Sequence, residues 1–205
     1  MNISEKILAL KDNIQNLISQ KATDNQKSAE QITLNLAHCH YTFADLGSGS
    51  DTQIDSPVLD FSKSVNVDSS LGYYASFIYG FYRCKLFKSI HIKNMYNIKN
   101  ISACFFECDA TEIETLDFTN IETVSAGTFK APQLETIKFE PETVNVSLTF
   151  AACEKLTDES LTSIIEGLIN LTDNSKTLTL SAASGEKLSD DKKALITQKG
   201  WTLVV

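Results

Sequence analysis

No run of the chain approaches the ~20 consecutive apolar residues that a membrane-spanning helix requires. The first twenty residues interrupt their apolar positions with Glu5, Lys6, Lys11 and Asp12, where a secretory signal needs an unbroken apolar centre. Basic residues are outnumbered 18 to 26 by acidic ones, for a net charge of −8, and no basic stripe occurs. That pattern excludes a nucleic-acid footprint and disfavours an anionic membrane surface. With three histidines in 205 residues, the chain has little to offer acid–base chemistry. It shows no Ser/His/Asp arrangement, phosphate loop or metal quartet, so it reads as a non-enzymatic protein without a cofactor. Its five cysteines are an odd count for a disulfide framework. Cys104 and Cys108 lie four apart, but no second Cys or His pair stands at the spacing of a zinc site.

What the chain does contain is a recurring Phe–x–x–Cys–x–x–Leu. Its cleanest copy is Phe150, Cys153, Leu156. Phe81, Cys84 and Phe87 form another, followed by Ile90 and Ile92, and a third, stretched after the cysteine, runs Phe105, Cys108, Ile113, Leu116, Phe118. A fourth loses the cysteine: Phe129, Pro132, Leu134, Ile137, Phe139. The four phenylalanines are 24, 24 and 21 residues apart, and a period of that length is the signature of a solenoid. Each unit then supplies a short strand in which two apolar residues flank a polar one: Ile90-His-Ile92, Leu116-Asp-Phe118 and Ile137-Lys-Phe139. The apolar pair points inward, the phenylalanines fill the core from the opposite wall, and Cys84, Cys108 and Cys153 act as small buried hydrophobes. The repeat core is thus Phe81, Cys84, Phe105, Cys108, Phe129, Phe150 and Cys153.

The amino-terminal part, 1–46, reads differently. Ile3, Ile7, Leu10, Ile14 and Leu17 are spaced 4-3-4-3, a heptad seam on a helix over 3–20. So short a helix is marginal alone in water and needs a partner. Two readings stand open: a short parallel coiled coil that sets an oligomer, or an amphipathic helix folded on its own chain. A strand follows over about 32–43, where Ile32, Leu34 and Leu36 alternate with polar residues. On it His38 and His40 fall on one face. In a trimer they would place six imidazoles around an axis, a set suited to a transition metal. Otherwise one ring hydrogen-bonds in the core and the other meets solvent. Residues 47–57 are rich in Gly and Ser and end at Pro57, so they read as a linker, and 58–205 as the repeat domain.

The carboxy-terminal stretch, 156–205, departs from the repeat. Leu161, Ile164, Ile165 and Leu168 have helical spacing, with Thr157 or Asp158 as cap. A strand over 177–181 follows, then a helix from Ser189 or Asp190 to Lys199 that Gly200 ends, then a last strand from Trp201. This is a βα-type cap on the open end of a repeat array.

The units around Phe81–Ile92, Phe105–Phe118, Phe129–Phe139 and Phe150–Leu156 resemble the BspA-type leucine-rich repeat family, whose unit pairs Ala-Phe with a Cys three residues on, then a Leu and an Ile-x-Ile strand. Here Gly80, Cys104, Thr128 and Thr149 replace the alanine. The closing segment also resembles the end of repeat proteins from bacterial surfaces and from phages or prophages. The resemblance covers roughly 72–205. It implies an α/β repeat solenoid, leucine-rich-repeat-like with short, mostly parallel strands, used for adhesion or assembly rather than catalysis. The candidate recognition face is then the polar ladder on the strands: Ser89, His91 and Lys93; Thr115, Asp117 and Thr119; Thr136, Lys138 and Glu140. The expected protein is a virion structural or display component (a fibre, decoration or tail-associated protein) or, alternatively, a bacterial cell-surface adhesion protein. Its amino-terminal segment would join other virion or surface proteins in a homo-oligomer, and its repeats would touch a host glycan or protein.

Overall fold

Short strands, all parallel to their neighbours, carry the architecture. The computed structural model describes residues 33–35, 43–46, 53–61 and 76–205. Contacts divide the chain into Met1–Ile32 and Thr33–Val205, and everything described belongs to the second unit. The helix over 3–20 with its seam Ile3, Ile7, Leu10, Ile14 and Leu17 lies outside the described residues, as do His38 and His40.

Five strands form one sheet in chain order: β1 (Thr33–Asn35), β2 (Ile54–Asp60), β3 (Phe87–Lys93), β4 (Glu112–Leu116) and β5 (Thr136–Phe139). A second sheet joins β6 (Leu148–Phe150), β7 (Lys176–Leu180) and β8 (Trp201–Val204). Three helices lie in the last third: α1 (Asp158–Gly167), α2 (Ala182–Glu186) and α3 (Asp190–Gln198). Parallel sheets with few helices give the described chain an α/β character. Parallel strands cannot be joined by a tight hairpin, so each connection runs back before the next strand begins, and the Phe turns lie on these returns.

The register puts like on like. Ile90 pairs with Ile113, and Ile113 with Ile137; all three are fully buried. This corrects the expected second strand, Leu116-Asp-Phe118. The strand is Glu112–Leu116, and a register shift after Ile113 brings Leu116 opposite Phe139. The irregularity takes up one extra residue, as a bulge does, and the period-two pattern of the sequence hides it.

The turns form a second ladder. Phe81 N–H donates to Cys104 O at 2.8 Å, and Phe105 N–H to Thr128 O at 3.0 Å. Phe43 N–H makes the same bond to Gly80 O at 2.8 Å. Lys85 N–H reaches Leu46 O as Asp109 N–H reaches Cys84 O. Phe43–x–x–Leu46 is therefore a further copy of the turn, with Leu46 in the cysteine's place. It lies 38 residues before Phe81 rather than 24, which conceals it from a search for a constant period. The boundary expected at 47–57 is corrected accordingly: β2 starts inside that stretch, β1 pairs with β2, and Phe43 stacks on Phe81.

Along this ladder the rings of Phe43, Phe81, Phe105, Phe129 and Phe150 stack in single file. Successive centroids are 5.0, 5.7, 5.6 and 4.7 Å apart and the planes lie within 27° of parallel. Edge contacts from Phe81 to Phe87 and from Phe129 to Phe139 tie the file to the first sheet. Such pairs add about 0.5–1.5 kcal/mol each beyond area burial. Cys84, Cys104, Cys108 and Cys153 form no disulfide and are fully buried. Two residues after the phenylalanine, Asp45, Arg83 and Glu107 adopt left-handed backbone, φ 58°, 52° and 52°. The turn after Phe129 differs: Ala131 is buried while Pro132 is exposed. Proline has no N–H, so it cannot close the turn onto the phenylalanine carbonyl as Cys84 and Cys108 do.

Helix α1 covers the open edge of β5. Ile137 N–H donates to Ser160 Oγ and Phe139 N–H to Ser163 Oγ, each at 3.0 Å. Backbone groups that would otherwise template another strand are thereby satisfied. The closing segment follows its expected order of helix, strand, helix and strand, with the short helix α2 added between β7 and α3. Thr157 and Ser189 cap α1 and α3, and Gly200 takes φ +77° after α3, where a side chain would strike Leu171 O. Lys199, 9% exposed, donates from Nζ to Glu166 O and Leu168 O, bringing a cation to the negative end of α1. The closing sheet begins earlier than expected, because β6, carrying Phe150, pairs with β7.

Phe105→Ala is expected to lower stability by about 3–5 kcal/mol in urea denaturation. Phe106→Ala, which removes a half-exposed ring lying over Gly127, is expected to cost much less, and equal losses would contradict the ring file as the core. A second expectation concerns the thiols. Burial pushes Cys104 and Cys108 far up and Cys153 to about 11, so at pH 8 all three are thiols, and only the thiolate reacts. Iodoacetamide mapping by mass spectrometry should find them unmodified in native protein and modified in urea. Native labelling of Cys108 at the rate of a free thiol would refute its placement.

Candidate functional site

The outward face of β2, β3 and β4 is built by alternation: between the inward residues Ile90 and Ile92 stands His91, and beside Ile113 stand Glu112 and Glu114. Register sets Asp55 beside Ser89, and Ser89 beside Glu112. Ser89 Oγ donates to Asp55 Oδ1 at 2.7 Å and lies 3.2 Å from His91 Nε2. On the ring's other side, His91 Nδ1 is 2.7 Å from Glu114 Oε2. That approach is short but off the ring's N–H axis, so it is a close contact rather than an aligned hydrogen bond. His91 N–H donates to Ser56 Oγ on β2. One histidine thus links three strands. Ser89, expected to meet solvent, is only 5% exposed, with Asp55 and His91 bonded to its hydroxyl.

A serine, a histidine and a carboxylate in line invite comparison with an acyl-transfer triad. The chemistry differs. A nucleophilic hydroxyl must hand its proton to the ring, whereas Ser89 directs its proton to Asp55, and its burial leaves no approach for a carbonyl carbon. The hydrogen bonds of the arrangement couple β2 to β3.

Beyond the carboxyl ends of β3, β4 and β5 the face opens into a groove of about 590 Å³. Lys93, Asn94 and Tyr96 come from β3 and the 3₁₀ turn after it, Glu114, Thr115 and Asp117 from β4 and its exit, and Glu140 and Thr143 from the exit of β5. Ile92, Met95 and Pro141 add an apolar portion. Asp117 is held by Thr119, whose N–H and hydroxyl both donate to Oδ1 at 2.9 and 2.6 Å. Thr143 Oγ1 accepts from Phe118 N–H and donates to Glu140 O. Tyr96 is 43% exposed. One lysine against three carboxylates makes the lining acidic. The groove offers a ring face, an amide, hydroxyls and carboxylates to a polar ligand, at the strand ends where open parallel sheets commonly bind.

Of the expected face, Lys93, Thr115, Asp117 and Glu140 line this groove, and Thr119 supports it. Ser89 and His91 belong to the neighbouring cluster. Thr136 and Lys138 line neither; Lys138 pairs with Glu159 on α1 at 3.3 Å. Asn94, Tyr96, Glu114 and Thr143 come in unannounced. Aligning Ile113 with Ile90 would have revealed Glu114, but Tyr96 and Asn94 follow a strand end and carry no periodic signal. Among the described residues no three His, Cys, Asp or Glu side chains converge as a metal site. No family model, curated protein or solved structure matches the chain.

Ser89→Ala should cost about 1–3 kcal/mol in urea denaturation, because it leaves Asp55 and the His91 ring without their shared partner. Lys138→Ala, which breaks an exposed pair, should change stability by about 0.5 kcal/mol or less. The reverse order would refute the cluster's role in joining the strands.

Proposed function

We propose that the chain is a non-enzymatic recognition and display protein, a leucine-rich-repeat-like solenoid of the BspA type whose contact site is the groove at the strand ends. One observation carries this reading. Lys93, Asp117 and Glu140 stand 24 and 23 residues apart and converge on one groove, so equivalent positions of consecutive repeats make a single site. Arrays of repeats use their exposed sheet faces as extended contact surfaces, and the lining suits a hydroxyl- or amine-bearing surface such as a host glycan or protein.

The setting we propose is a virion, with the repeats as head of a fibre, decoration or tail-associated component. The segment before β1 would mount it in a homo-oligomer on other virion proteins. The inward-facing apolar residues and the stacked rings support a structural role for the repeats, and the groove a contact role.

The double substitution Asp117→Asn and Glu140→Gln preserves side-chain size and the Asp117 acceptor for Thr119. It should leave the thermal midpoint within about 2–4 °C of wild type, a shift of at most about 1 kcal/mol, and reduce retention on host cells or isolated envelopes at least tenfold. Unchanged retention would move the contact site off the groove. Fractionation tests the setting: co-purification with particles supports a virion protein, and recovery with the cell envelope points to a bacterial surface adhesin.

A further inference from the structure

Counting protons around His91 shows that its contacts call for more of them than a neutral ring supplies. Ser89 has one hydroxyl proton, and it goes to Asp55 Oδ1 at 2.7 Å. The 3.2 Å contact between Ser89 Oγ and His91 Nε2 then needs its proton from the ring. Nδ1 makes no aligned hydrogen bond, but at 2.7 Å from a Glu114 oxygen it attracts the carboxylate only when protonated, since a bare ring nitrogen and a carboxylate oxygen repel at that distance. Only the imidazolium has both. In the neutral ring with Nε2 protonated, bare Nδ1 stands beside the Glu114 carboxylate with no proton between them and repels it. With Nδ1 protonated instead, the Ser89 hydroxyl must swing to Nε2, and Asp55 loses its donor. Either way one carboxylate is stranded.

Glu114 also lines the groove, and its side chain is 48% exposed, so it has somewhere to go. We propose that His91 is a proton-operated latch: protonated, it holds Glu114 against the sheet; neutral, it releases that carboxylate to the groove. The role given to the groove rests on the recognition reading above, whereas the latch itself does not. The charged side chains of these three strands are Asp55 and Asp60 on β2, Lys88 and Lys93 on β3 itself, and Glu112 with Glu114 on β4. Asp60 accepts from Asn94 Nδ2 at 2.9 Å, and Lys93 lines the groove, so Asp55 and Glu114 are the carboxylates whose partners change with the ring's proton. Histidine is the side chain that makes such a change between about pH 5 and about pH 8.

The test is an NMR titration of the full chain over that range without ligand. It follows the His91 ring nitrogens and the Glu114 side-chain carboxyl carbon. The expected result is that the Glu114 signal shifts in step with loss of the second ring proton, and that His91→Gln abolishes the shift. A Glu114 signal that stays flat through the ring's transition overturns the latch, and the wild-type protein alone decides that point. A shift that persists in His91→Gln also overturns it, by assigning the effect to another carboxylate. Because no ligand is present, a failed latch leaves the groove standing. A failed groove, shown by unchanged retention of the Asp117→Asn, Glu140→Gln variant, leaves the latch standing.

Discussion

The bond from each of the first three turn phenylalanines to the carbonyl just before the next one sets the geometry of the described chain. It joins Phe43 to Gly80, Phe81 to Cys104 and Phe105 to Thr128. Because it holds successive turns at the spacing of hydrogen-bonded backbone, the rings stack face to face. The parallel strands of the first sheet follow at the same interval. The burial of Cys84, Cys104, Cys108 and Cys153, the left-handed residues at Asp45, Arg83 and Glu107, and the file of isoleucines under the sheet all follow from that constraint.

A sheet of parallel strands leaves an unsatisfied edge, and in the last third of the chain α1 closes that of β5. Helix α1 does not extend the first sheet; it presents Ser160 and Ser163 to the two N–H groups of β5 that would otherwise lack partners. The second sheet takes over the phenylalanine side, with β6 carrying Phe150 onto the ring of Phe129. Lys199 and Trp201 then bind the carbonyls at the end of α1, Lys199 with Glu166 and Leu168, Trp201 with Ile169. Polar side chains do the terminating work here, and their value lies in what they satisfy rather than in charge pairing across a wet surface.

The groove and the histidine cluster arise from the same register. Pairing Ser89 with Glu112 sets Glu114 against His91, and the bulge after Ile113 turns Thr115 and Asp117 into line with the exit of β5. Without that one-residue irregularity, Asp117 would not reach the level of Glu140. Glu114 is shared by the two features, which is why a proton on the histidine bears on the groove at all.

Much of this was legible from residue spacing. Phe–x–x–Cys located three turns and the buried thiols, Thr157, Ser189 and Gly200 marked the helix ends in the cap, and alternation picked out Lys93, Asp117 and Glu140 as outward residues. These are local or periodic properties, fixed by side-chain volume, capping chemistry and the two-residue pleat. The sequence did not disclose the copy of the turn at Phe43, the register that favours Ile113 over Leu116, the serines that cap an edge, or the meeting of Asp55, Ser89, His91 and Glu114. Each depends on which residues face one another across a layer, and that is set by backbone bonds between positions 22 to 39 apart. A chain read one residue at a time determines what each layer is made of; only the stacking of layers decides which polar groups meet.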